Sequence, residues 1–128
     1  MTVDKKLVLI VDDEKDTVEH LSSILESSGL EVISTREGLP ALKLAEERRP
    51  QLIILDIDLP DIDGGEVAYR LSQKEETRDI PIIYLTGLMT PEEKEGPLRA
   101  GKYFVLAKPV SREELISLVS QILGETKS

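Results

Sequence analysis

The sequence predicts an α/β protein built on one open parallel sheet with helices on both faces. Three observations carry this expectation. Short aliphatic and β-branched runs alternate with longer stretches of helical periodicity, the pattern of βα units feeding a parallel sheet. The alternation occurs five times, with Gly, Pro or capping residues at most junctions. Four of the strand runs lead into polar residues: Asp12-Asp13, Asp56, Thr86 and Lys108. In such a sheet the carboxyl ends of the strands share one rim, where ligands bind at the reversal of strand order, so these residues could converge.

The first strand is Leu7 to Val11, and the first helix is expected from about Lys15 to Ser28, with Val18, Leu21 and Leu25 on one face and Gly29 as its stop. The second strand is the short Glu31 to Ser34. The second helix begins near Gly38, tolerates Pro40 in its first turn, and carries Leu39, Leu42 and Ala45 inward before Arg48, Arg49 and Pro50 end it. Leu52-Ile53-Ile54-Leu55 forms the third strand and delivers Asp56 to its end. Pro60 stops that strand soon afterwards, so Asp56 is expected to be presented and not buried. After the turn Pro60 to Gly65, a third helix runs from about Glu66 to Lys74 and dissolves into the polar stretch Glu75 to Asp79. The fourth strand is Ile82 to Leu85.

Thr90-Pro91-Glu92-Glu93 combines a capping box with proline at the first helical position and marks the start of a fourth helix. Gly96 and Pro97 fall inside it, and an interior proline costs about 3 kcal/mol or more by removing a hydrogen bond and crowding the preceding turn. The fifth strand is Phe104 to Ala107. A second capping box, Ser111-Arg112-Glu113-Glu114, opens the fifth helix, which turns Leu115, Leu118, Val119 and Ile122 inward before Gly124.

The 128 residues suit a single domain, with its core over about residues 6 to 123 and a short polar tail, and 40% hydrophobic content suffices for a packed interior. Sixteen basic and 25 acidic residues give a formal charge of −9, which repels nucleic acid phosphates. Direct nucleic acid binding is not expected. No cysteine is present, which excludes disulfides and thiolate chemistry. No apolar run approaches the roughly 20 residues of a membrane span, and the N-terminus lacks the apolar region of a signal peptide. A soluble cytoplasmic domain without membrane contact is expected.

Taken singly, the rim residues are ambiguous. Asp12 and Asp13 read as well as solvated acids in a turn, Thr86 as a strand terminator and Lys108 as a surface lysine. Together they are more specific, because clustered carboxylates repel one another unless protonated or bound to a cation, and hard oxygen ligands in that number favour Mg²⁺ or Mn²⁺. Such an ion would keep Asp56 ionised and able to attack phosphorus. Thr86 and Lys108 would then contact the oxygens of a phosphoryl group on Asp56 and neutralise charge that develops during transfer.

These residues, in this order and spacing, resemble the receiver domain of two-component response regulators. The resemblance rests on Val11-Asp12-Asp13-Glu14, Leu55-Asp56-Ile57-Asp58-Leu59-Pro60-Asp61-Ile62-Asp63-Gly64, Pro81 to Gly87, Ala100-Gly101 and Lys108-Pro109. It implies a flavodoxin-like, doubly wound five-stranded sheet of order 2-1-3-4-5 with five helices. It also implies that Asp56 is the phosphoacceptor, that Asp13, Asp56 and the Ile57 carbonyl bind the metal directly, and that Asp12 does so through water. Thr86 and Lys108 become the phosphate-contacting pair, and the Lys108-Pro109 bond is expected to be cis. The implied partners are a histidine kinase or phosphotransfer protein as donor and a downstream protein target or output domain.

The sequence also departs from the family pattern. An aromatic residue that often precedes the lysine by three positions is Val105 here, and Tyr103 and Phe104 stand where acids are common, read as edge-strand packing or as a partner-binding patch. With no ring at Val105 and Gly96-Pro97 in the fourth helix, activation is expected as ordering or displacement of residues 87 to 100. Asp58, two residues after the acceptor, could guide a hydrolytic water or simply face solvent. His20 lies off the apolar stripe of the first helix and is expected to face solvent. Two other functions remain open: a receiver-like scaffold not regulated by phosphate, and a phosphatase, since Asp56-Ile57-Asp58 resembles the Asp-x-Asp motif of haloacid-dehalogenase-type enzymes. There Asp56 would be the nucleophile and Asp58 the acid/base.

Overall fold

The computed structural model describes residues 5–87 and 103–124. Its strands are β1 (Leu7–Val11), β2 (Glu31–Thr35), β3 (Leu52–Asp56), β4 (Ile82–Thr86) and β5 (Tyr103–Ala107), and its helices are α1 (Lys15–Ser27), α2 (Gly38–Arg48), α3 (Gly64–Ser72) and α4 (Arg112–Leu123). The strands form one sheet in the order β2-β1-β3-β4-β5, and every neighbouring pair is parallel. This is the order expected from the sequence. Four helices occur among the described residues against the five expected. The segment assigned to the fourth, with Thr90, Gly96 and Pro97, lies outside the described residues, as does Ala100-Gly101, and α4 is the helix expected as the fifth.

Strand periodicity sorts the core into two layers, because successive side chains of a strand point to opposite faces. Val8 and Ile10 of β1, Leu52 and Ile54 of β3, Ile83 and Leu85 of β4, and Phe104 and Leu106 of β5 pack with Leu21, Ile24 and Leu25 of α1 and Leu115, Leu118 and Val119 of α4. Leu9, Val11, Ile53, Leu55 and Ile82 point the other way, against Ala41 and Ala45 of α2 and Val67, Ala68 and Leu71 of α3. All five residues of β1 and of β3 are buried, which explains their unbroken apolar runs. Phe104 is thus core and not a surface patch: it is 9% exposed and belongs to the layer against α4.

The helix faces follow the sequence with two corrections. Leu42 and Ala45 point inward on α2 as expected, Leu42 packing half-buried against the core, but Leu39 is 48% exposed and the fully buried positions are Gly38, Ala41 and Ala45. Small residues line that face because α2 sits close to its neighbours: a Cβ on Gly38 would lie 2.7 Å from Val67 Cγ2 and 2.8 Å from Ile62 Cγ1. The third helix starts at Gly64, two residues before the expected Glu66, because the Asp63 carboxylate accepts from Glu66 N at 2.8 Å and caps it there. Strands β2, β4 and β5 each gain one terminal residue over expectation.

Candidate functional site

The chain passes outward from β1 to β2 and then crosses to β3 on the other side of β1, so the strand order reverses between β1 and β3. Asp12, just after β1, and Asp56, the last residue of β3, flank that reversal. Asp13 follows Asp12, and carboxylate oxygens of Asp12, Asp13 and Asp56 lie within 4.8 Å of one another. Thr86 ends β4, one residue beyond Leu85, the register partner of Asp56. Lys108 follows β5, its backbone N–H donates to the Thr86 carbonyl at 2.8 Å, and the Lys108-Pro109 bond is cis, as expected. The four strand-end signals read from the sequence therefore gather on one rim.

The site is more enclosed than the sequence suggested. Asp56 is only 4% exposed, Asp12 is fully buried and Thr86 is 8% exposed, whereas Asp13 is more open. Asp56 is presented at the strand end yet covered, because the rim residues close over it and α3 packs against its backbone. A Cβ on Gly64 would lie 2.6 Å from the Asp56 carbonyl oxygen and 2.9 Å from Ile57 Cα, so the helix can start this close only at a glycine.

Lys108 is the centre of the local electrostatics. Its Nζ lies 2.8 Å from Glu14 Oε1, 3.0 Å from Asp12 Oδ2 and 3.2 Å from Asp56 Oδ2. Burial pulls the Lys108 pKa down, but hydrogen bonds to Glu14 and Asp56 and the close Asp12 carboxylate outweigh it and hold the ammonium well above the usual lysine range. Burial pushes the Asp56 carboxyl up, and the charge of Asp12 adds to this, while the Asp58 N–H and Lys108 pull the other way. The net direction is upward. Lys108 also draws the Glu14 carboxyl below its ordinary value through a hydrogen bond and its charge.

The donor set fits a hard divalent cation. Three carboxylates converge, and Asp12 Oδ2 is a buried oxygen with no hydrogen-bond partner, since the Lys108 ammonium lies close but off the hydrogen-bonding direction. The Ile57 carbonyl accepts from Gly64 N at 2.8 Å, so a cation would have to use its other lone pair.

Several contacts were not anticipated from the sequence. Glu14 closes on Lys108. Asp61 accepts from Gly38 N at 2.8 Å and Leu39 N at 2.7 Å, capping α2 from the β3–α3 loop, where the helix's own N-cap residue, Glu37, makes no side-chain cap. Desolvation opposes ionisation of Asp61, but the N–H groups of Leu39 and Gly38 outweigh it and lower the pKa. A helix start without Ser, Thr, Asn or Asp was the signal that an outside acceptor was needed. Asp58 is exposed, and what it brings to Asp56 is its backbone N–H, 3.1 Å from Oδ1. His20 is exposed but tethered, its Nε2 2.9 Å from the Val110 carbonyl oxygen.

A model of the response regulator receiver domain matches residues 8–120. The chain belongs to the response regulator receiver family. It is 38% identical over 120 residues to the polar-differentiation response regulator DivK of Brucella anthropi, covering 94% of this chain and 98% of that one. The receiver domain of the sensor histidine kinase PA1611 from Pseudomonas aeruginosa, solved with magnesium in its active site cleft, superposes with a TM-score of 0.82 at 30% identity over 94% of this chain and 99% of its own. The Francisella response regulator 1452 receiver domain gives a TM-score of 0.80 at 30% identity, over 96% and 100%. A chemotaxis protein of Vibrio cholerae, CheY4, gives 0.80 at 27% identity, over 93% and 99%. This receiver domain has no helix, among the described residues, long and apolar enough to cross a membrane.

Proposed function

We propose that this receiver domain is a phosphoacceptor module of two-component signalling: it takes a phosphoryl group from a histidine kinase or phosphotransfer protein onto Asp56, with Mg²⁺ or Mn²⁺, and changes its affinity for a protein target. The observation that carries this reading is the convergence of Asp12, Asp13 and Asp56 within 4.8 Å, with the Lys108 ammonium against two of them.

The three carboxylates, with the Ile57 carbonyl, would hold the metal, Asp13 directly and Asp12 through water. A bound cation offsets the repulsion between an anionic donor and the clustered acids and keeps Asp56 ionised. An Asp56 oxygen attacks phosphorus, and an O–P bond forms as the P–N bond of a phosphohistidine breaks. The imidazole leaves with the electron pair. Lys108 contacts the phosphoryl oxygens, the Thr86 hydroxyl donates to them, and burial of the site excludes competing water. The chain acts as an enzyme only on itself, speeding its own phosphorylation and dephosphorylation. The fold supports a cytoplasmic role, where such donors work.

Incubation with acetyl phosphate and Mg²⁺, read by intact mass, tests the reading. One phosphoryl group per chain is expected in wild type and none in Asp56→Asn or in EDTA. Equal yield in those controls would falsify the assignment. Calorimetric Mg²⁺ titration should show a large loss of affinity in Asp13→Ala and a smaller one in Asp12→Ala, and unchanged affinity in both would reduce the pair to a solvated turn.

A further inference from the structure

Glu14 lies outside the cation cluster yet comes nearest to the Lys108 ammonium of the three acids around it. Its Oε1 is 2.8 Å from Nζ and also accepts from Thr17 Oγ1 at 3.2 Å, while its backbone N–H is fixed by Asp12 Oδ1 at 2.8 Å. Its side chain is 62% exposed, against 0% for Asp12 and 5% for Asp56. The ammonium thus spans two buried acids of the cluster and one outer acid that is not part of it.

This arrangement has a consequence for loading. A divalent cation held by Asp12 and Asp56 would share those acids with an ammonium already 3.0 and 3.2 Å from them, and two positive charges in that space repel. For the cation to bind, Lys108 must give up the inner acids. Among the described residues, Glu14 is the contact it can keep while doing so.

We propose that Glu14 is a positioning residue that holds Lys108 at the outer edge of the site when a divalent cation takes Asp12 and Asp56, and thereby sets the cation affinity. The proposal rests on the metal-binding reading above. Without the Glu14 carboxylate, Lys108 stays on the inner acids and competes with the cation.

The test is a double-mutant cycle read by calorimetric Mg²⁺ titration of the full chain: wild type, Glu14→Gln, Lys108→Met and the double variant. Because Glu14 is exposed and water screens the pair, Glu14→Gln is expected to weaken Mg²⁺ binding about two- to fivefold, and less at high salt. Lys108→Met should tighten binding, and in that background Glu14→Gln should have no further effect. Circular dichroism of each variant checks folding. An equal loss in both backgrounds would overturn the proposal, since Glu14 would then act only by attracting the cation through space. Unchanged affinity in Glu14→Gln would overturn it too. Absence of Mg²⁺ binding in wild type is a different result and would remove the metal reading itself.

Discussion

The loops after β1 and after β3 both carry acids to the rim, but they use them differently. The first is short, Asp12 to Glu14, and leads into α1 with no side-chain cap, so its carboxylates are left for the site: Asp12 and Asp13 face Asp56, and Glu14 faces Lys108. The second carries Asp58, Asp61 and Asp63 beyond Asp56, and only the Asp56 carboxylate joins the cluster with Asp12 and Asp13. Asp63 caps α3, Asp61 caps α2 across the fold, and Asp58 contributes a backbone N–H. One loop supplies charge, and the other fastens the end of β3 to two helices. Residue type alone therefore does not rank these aspartates; the helix start each one reaches does.

The largest break in this comparison should come from Asp56→Asn, which is expected to remove phosphoryl uptake entirely. The same variant tests the electrostatics. Because the folded pKa of Asp56 is raised, the native state binds more protons than the unfolded chain between the two pKa values, and the ionised carboxylate weighs against folding at neutral pH. In EDTA, Asp56→Asn should melt at a higher temperature than wild type; a lower one would show that the ionised carboxylate stabilises the fold, its contacts to Lys108 and the Asp58 N–H outweighing burial.

Next in size is Gly64→Ala. A methyl placed 2.6 Å from the Asp56 carbonyl oxygen forces α3 and β3 apart, at a cost of about 1–3 kcal/mol as for other overpacked sites. Urea unfolding measures that loss, and slower phosphoryl uptake should accompany it. Stability equal to wild type would mean that α3 can slide away without moving Asp56.

The fold was largely legible because strand runs and caps report local physics. β1 and β3 read as buried from their unbroken aliphatic residues, and Ser111-Arg112-Glu113-Glu114 located the start of α4, where Ser111 Oγ accepts from Glu114 N at 3.0 Å. The errors came where tertiary contact overrides local pattern. Leu39 looked like core, yet the close approach of α2 to Ile62 and Val67 puts Gly38 there instead. Of the two readings of Phe104, edge-strand packing holds and the surface patch does not, since alternation along β5 turns it to the α4 layer. The members of the site were legible from the strand ends. Their enclosure was not, since it depends on Lys108 and Glu14, 94 residues apart in sequence, closing over the acids.

Smaller effects separate the caps. Asp63→Ala should destabilise the chain by about 1 kcal/mol in urea unfolding, the usual cost of a lost N-cap. Asp61→Ala should cost a similar amount, about 0.5–1 kcal/mol, because both carboxylates are exposed and each caps a helix start. Its signature is pH dependence. The folded pKa of Asp61 lies below its unfolded value, so its stabilisation is present above the ordinary aspartate pKa and is lost as pH falls through the folded one. Wild type and Asp61→Ala should therefore converge in stability under acid, and a constant gap down to pH 2 would rule out the cap. Asp58→Asn should be the mildest, within about 0.5 kcal/mol, because its N–H is retained.

The central claim, that Asp56 alone among these clustered acids accepts phosphorus, is tested most directly by chemical trapping. After treatment with acetyl phosphate and Mg²⁺, borohydride reduces an aspartyl phosphate to homoserine, and peptide mass spectrometry locates the change. The account predicts homoserine at position 56 and nowhere else. Reduction at Asp12, Asp13 or Asp58, or at no aspartate in a chain that has gained phosphate, would contradict it.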